Sequence, residues 1–198
     1  MSSRIATMAA VFGALTSGAT AVVYVNFSAR VMPSLGRMAN AAGITRMQGF
    51  NRTAEQGPFM LCFFGAALAG GYLIYRVVRG DRSTADLLLA AGGAAYLAGL
   101  LLTIAYNVPL NDKLATLDPH AASSVAFWRD YLSGWTTANT VRAGLSAMAT
   151  ALLISGLVVT LTSHGGAQRS AGPAGRTAGS GSLPAASDHA ATLGAADH

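Results

Sequence analysis

Of 198 residues, 52% are hydrophobic and only 11% are charged, and the mean hydropathy is +0.43. An ordinary soluble domain carries about 25% charge, so this composition excludes one and, at this length, points to a single membrane-embedded domain. The net charge of +5 comes from arginines at the ends of apolar runs and not from a basic stripe or tail, which argues against a nucleic-acid partner.

The chain opens on Met1-Ser2-Ser3-Arg4, and 25 uncharged residues then run from Ile5 to Ala29. Roughly 20 residues cross the hydrocarbon core. The run exceeds the ~7–15 residues of a signal-peptide core, so it is read as an uncleaved first span, 5–29. Gln56 to Tyr75 is uncharged and is entered through Gly57-Pro58, with proline suited to a first helical turn; it gives a second span, 57–75. Cys62 within it is the single cysteine, so neither an intrachain disulfide nor a cysteine-based metal site can form. Leu87 to Asn111 supplies a third span, 87–107, expected to end before Pro109 because proline disfavours α geometry in the residue ahead of it. The fourth is 143–163. These runs are continuously apolar and about twice the ~10 residues of a barrel strand, so the expected fold is all-α, a four-transmembrane-helix bundle over 1–163. Small residues recur at packing distance, as in Gly65 and Ala69, Ala66 and Gly70, and Ala143, Ala147, Ala151 and Ser155. From His164 to His198 the composition shifts to Gly, Ala, Ser and Pro, and a disordered tail is expected.

Four spans place both termini and the short loop 76–86 on one side of the membrane. That loop holds Arg76, Arg79 and Arg82, and by the positive-inside rule both termini are assigned to the cytoplasm. The richness in Ala, Gly and Arg suits a bacterial cytoplasmic membrane. No span holds Asp, Glu, Lys or Arg, so proton or ion relays lack carriers. Phosphate loop, nucleophile elbow and histidines paired at i, i+4 are all missing from the sequence. Any chemistry must run on hydrogen bonds, aromatic surfaces and arginine.

The two longer connections, 30–55 and 107–142, fall on the opposite side and carry most of the unusual polar residues. At about 100° per residue, Trp128, Tyr131, Trp135, Asn139 and Arg142 share an arc of about 80°. Arg129, Asp130, Ser133, Thr137 and Thr140 take the other side. Interfacial anchoring explains aromatic residues at such a position as well as a binding site does. Asn107 and Asn111 flank Pro109, where they can cap freed carbonyls or face a ligand. Gln48 and Asn51 lie one helical turn apart, and Asn26 is placed for an interhelical hydrogen bond.

The string Asn107-x-Pro109-x-Asn111 with Leu114, then Trp128-x-x-Tyr131-x-x-x-Trp135-x-x-x-Asn139-x-x-Arg142, resembles the anthrone oxygenase (DUF1772) family. Pro33 with Leu35 and Met47-Gln48-x-x-Asn51 look like that family's first loop, and the likeness covers roughly residues 5–163. The resemblance implies oxidation of a planar, anthrone-like polyketide by molecular oxygen, with no metal, flavin or other cofactor. It implies catalytic roles for Arg142, Asn139, Trp135 and Tyr131, and substrate binding by Trp128, Asn107, Asn111, Gln48 and Asn51. Arg142 and an asparagine amide would stabilise an enolate while Trp128 and Trp135 stack on the substrate rings. A general base is not evident; His120 and Tyr131 are the candidates. The partners expected are the hydrophobic substrate, oxygen and the lipid bilayer, with the oligomeric state open. The other reading is a non-catalytic membrane protein of this fold that binds a lipid or a protein.

Overall fold

The computed structural model describes the backbone of residues 2–170 and the side chains of 4–163 apart from 55 and 56. Helix α1 (Ser2–Asn26) passes through a π-helical turn, Phe27–Val31, into α2 (Met32–Gly36). Then come α3 (Asn40–Gln56), α4 (Pro58–Val78) and α5 (Thr84–Leu102). A second π-helical turn, Thr103–Asn107, joins α5 to α6 (Val108–Ala115), and α7 (Ser124–Ser170) is the last described element. Four stretches, Arg4–Gly36, Pro58–Val78, Thr84–Ala115 and Ser124–Ser163, are long and apolar enough to cross a membrane. The all-α, four-span architecture is therefore as expected. Helix α7 continues to Ser170, past the expected start of the tail; the rest of that expectation falls on 171–198, outside the described residues.

Contacts across the bundle fix its up-down order. Gly13 of α1 faces Ala69 of α4, Gly70 faces Gly93 of α5, and Gly92 and Gly99 face Leu153 and Leu145 of α7. Ser17 and Thr150 share a hydrogen bond of 2.8 Å between α1 and α7. With the further contacts of Tyr24 to Phe59, Phe63 to Tyr96 and Asn139 to Tyr24, one residue number rises as the other falls along each pair of helices, so the neighbours run antiparallel.

The closest approach is at Gly70 and Gly93, where a methyl group added to Gly93 would lie 2.6 Å from the Gly70 carbonyl oxygen. Backbone cannot yield as a side chain can. Gly93→Ala is expected to force α4 and α5 apart and to destabilise the protein by about 1–3 kcal/mol. A fall in the thermal midpoint of detergent-purified protein checks this; an unchanged midpoint would mean that the helices do not touch there.

Two sequence expectations need correction. Of the stripe of small residues on α7, Ala143 is buried, but Ala147, Ala151 and Ser155 are exposed, and the packing seam runs through Ser146, Ala149, Leu153 and Gly156. And the third helix does not stop before Pro109. Proline has no N–H to give, and the π-helical turn just before it absorbs the break: Val108 N–H bonds to the Thr103 carbonyl, five residues back. Pro33 follows the other π-helical turn in the same way, with Met32 N–H bonding to the Phe27 carbonyl. Pro33 and Pro109 thus shift the helical register without ending the rods.

Three of the spanning rods overreach the bilayer. At about 1.5 Å per residue, the 33-, 32- and 40-residue stretches measure about 50–60 Å against a hydrocarbon core of about 30 Å. Helix α4, with 21 residues, matches the core. The excess lies at one end, because Tyr24 of α1 already packs against Phe59 at the start of α4. There α2, α3, α6 and the first turns of α7 form a separate apolar core of Met32, Leu35, Ile44, Met47, Leu114, Trp128, Tyr131 and Trp135. The two long connections meet at a common end, as the sequence requires. At the other end, Arg76 pairs with Asp81 at 2.8 Å and Asp86 at 3.0 Å, and Ser83 and Asp86 form a capping box that starts α5.

Candidate functional site

The arc read from α7 is a buried face: Trp128, Tyr131, Trp135, Asn139 and Arg142 are all at most 5% exposed. The residues of the opposite arc, Arg129, Asp130, Ser133, Thr137 and Thr140, are all exposed. The three aromatic rings stack as a pillar, Trp128 on Tyr131 at 5.6 Å and Tyr131 on Trp135 at 6.1 Å. Trp128 ends against the backbone of α3, where Gly43 leaves room for the indole. Trp135 ends beneath Arg142, whose guanidinium carbon is 5.4 Å from the indole centre. These ring faces are occupied by protein, so Trp128 holds α3 to α7 where the sequence reading had it stacking on a ligand.

Asn111 ties the pillar to α6. Its side-chain oxygen accepts from Tyr131 Oη and from Trp135 Nε1, both at 2.8 Å. Asn107 donates through Nδ2 to the Trp135 carbonyl at 3.4 Å, and its own Oδ1 is buried with no partner. Neither amide caps its own helix; both reach across to α7. Gln48 donates to the carbonyls of Leu114 and Leu117, at 2.9 and 3.1 Å, and so caps the end of α6 from α3. Asn51 sits beside the Tyr131 hydroxyl, its Nδ2 buried without a hydrogen bond of good geometry. Asn26 stays exposed, and His120 lies exposed in the loop before α7.

At the base of the pillar is Arg142, 4% exposed. It donates from one terminal nitrogen to Asn139 Oδ1 at 2.8 Å and from the other to Thr103 Oγ1 at 3.1 Å. Its guanidinium also stands 4.3 Å from the ring centre of Tyr24. Asn139 is itself fixed, donating to the Tyr24 carbonyl at 2.7 Å and to Ser28 Oγ at 2.8 Å. Its amide donors are therefore spent, and Asn139 orients Arg142. All of the guanidinium's contacts are neutral. Among the described residues the ion pairs belong to Arg76, not Arg142. A buried cation without a carboxylate is costly to maintain, and its surroundings of amides, hydroxyls and rings suit an anion and not a metal ion.

Eight of the nine residues chosen from the sequence are thus linked around the pillar, while Gln48 binds the end of α6 instead. Three participants were missed: Tyr24, Ser28 and Thr103. Ser28 and Thr103 sit in the π-helical turns, and the prolines that follow those turns were the available signal. Below the site runs an aromatic ladder, Tyr24 to Phe59 to Phe63 to Phe64, with neighbouring ring centres 6.0, 5.9 and 5.2 Å apart. It leads to an apolar groove of about 630 Å³ between α1 and α4, lined by Phe12, Met60, Leu61, Phe64 and Leu68 among others.

Fold and site together define a four-helix membrane protein with an uncompensated guanidinium buried at one end of the bundle. Residues 47–152, more than half of the chain, match the anthrone oxygenase family, and the chain belongs to that family. No curated protein and no solved structure gives a significant match. Tyr24 and Ser28 precede the matched region.

Proposed function

We propose that the protein is a membrane-embedded, cofactor-independent oxygenase that converts a planar, anthrone-like substrate to the quinone with molecular oxygen. The observation that carries this is Arg142, a buried positive charge with neutral partners only. An anthrone loses a proton from its central methylene to give an enolate, whose charge rests on the oxygen across the ring. A guanidinium held rigid in a water-poor site stabilises such a developing oxyanion far better than water does. The electron-rich carbanion then passes an electron to oxygen, and the pair collapses to a carbon–oxygen bond. Proton uptake gives the hydroperoxide; loss of the second methylene proton expels water and leaves the carbonyl. One methylene and one oxygen molecule become one carbonyl and one water.

The aromatic ladder and the groove at its foot support entry of the substrate from the lipid. The arginines of the loop 76–86 support a cytoplasmic position for both termini, in a bacterial inner membrane; a C-terminal fluorescent or phosphatase fusion reports that side directly. The closed packing of the aromatic pillar favours the second reading, a non-catalytic lipid- or protein-binding role. The two part on incubation of membranes holding the protein with an anthrone, in air and under argon. An oxygenase gives protein-dependent quinone absorbance in air alone, and a binding protein gives none in either.

A further inference from the structure

The geometry points to Tyr24 as a second oxyanion donor, its hydroxyl acting with Arg142 on the substrate oxygen. This rests on the oxygenase reading above. The other hydroxyls and amides around the guanidinium are already engaged. Tyr131 Oη is spent on Asn111, and Tyr96 Oη donates to the Phe63 carbonyl at 3.1 Å. The Asn139 amide is spent on the Tyr24 carbonyl and on Ser28. Thr103 Oγ1 donates to the Gly99 carbonyl at 2.8 Å while it accepts from Arg142.

Tyr24 is different. Its side chain is buried, and its hydroxyl, which lies beside Thr103 and the Arg142 guanidinium, makes no hydrogen bond of good geometry; nor does Arg142 Nε. Two unmet donors on two side chains in contact are not explained by folding, because a buried polar group without a partner is disfavoured. An oxygen carrying negative charge, accepting from both, accounts for them together. Tyr24 is also held in place: Asn139 binds its main chain, Arg142 covers its ring, and Phe59 packs edge-on against it. A neutral phenol so fixed donates at no cost in reorganisation during the reaction.

The test is anaerobic exchange of the substrate methylene in heavy water, with wild type and Tyr24→Phe in the same lipid. Exchange reports enolate formation without the oxygen step. Wild type is expected to exchange deuterium into an anthrone well above the buffer rate, and Tyr24→Phe about a hundredfold more slowly. Its thermal midpoint should be unchanged or higher, since the substitution removes an unmet hydroxyl, whereas a purely structural tyrosine would lower it. Tyr24→Leu serves as a second variant and must show the same loss. Equal exchange by wild type and variants would overturn the role of Tyr24 and leave the oxygenase reading standing. Neither exchange nor quinone formation by wild type would overturn both.

Discussion

Replacing Arg142 with methionine is expected to lower the rate of quinone formation by about a thousandfold while the protein stays folded. On the proposed reading the charge is a burden on the fold and an asset to the chemistry, so the two effects separate. Desolvating a guanidinium costs several kcal/mol, and neutral acceptors return only part of it. Methionine fills a similar volume and removes that cost, although Asn139 Oδ1 then loses its donor, worth about 1–3 kcal/mol. These terms oppose each other, so the unfolding midpoint should move by only a few degrees. Arg142→Lys keeps the charge but not the planar fork that reaches Asn139 and Thr103 together, and its activity should fall between wild type and Arg142→Met. A folded Arg142→Met protein with full turnover would remove the chemical role of the cation.

The largest loss of stability is expected at Asn111. A single oxygen there satisfies two buried donors, Tyr131 Oη and Trp135 Nε1. Asn111→Leu strands both, at about 1–3 kcal/mol each, and so costs about 2–6 kcal/mol. Tyr131→Phe removes one donor together with its need and should cost clearly less. Asn111→Asp retains the acceptors and should recover much of the loss. Thermal unfolding of the three variants in one detergent gives the order directly; equal midpoints for Asn111→Leu and Tyr131→Phe would mean that the shared acceptor is not what holds α6 to the pillar.

The fold was legible because bilayer crossing needs only length and apolarity, both of which can be read one residue at a time. The α7 face was legible for a similar reason: a helix repeats every 3.6 residues, and Trp128, Tyr131, Trp135, Asn139 and Arg142 fall on one side of it whatever packs against them. What could not be read is who meets whom. Tyr24, about 80 residues from Thr103 and further from Arg142, carries no local mark of its place in the site. The prolines misled as well as helped. Pro109 signals a break in hydrogen bonding, but whether the chain turns away or shifts register through a π-helical turn is decided by the neighbours available to hold the rod straight. The roles of the tryptophans depended on tertiary contact too, since an indole that stacks on a ligand and one that stacks on tyrosine have the same sequence signature.

The proposed oxygenase chemistry depends on an arginine kept charged and free of carboxylates so that it can meet an oxyanion. Its most direct test compares initial rates of anthrone oxidation by matched amounts of wild-type and Arg142→Met protein in lipid nanodiscs, with empty discs giving the spontaneous rate. The expected result is wild type far above the empty discs and the variant close to them. Equal rates for the two proteins, or no excess over empty discs for wild type, would contradict it.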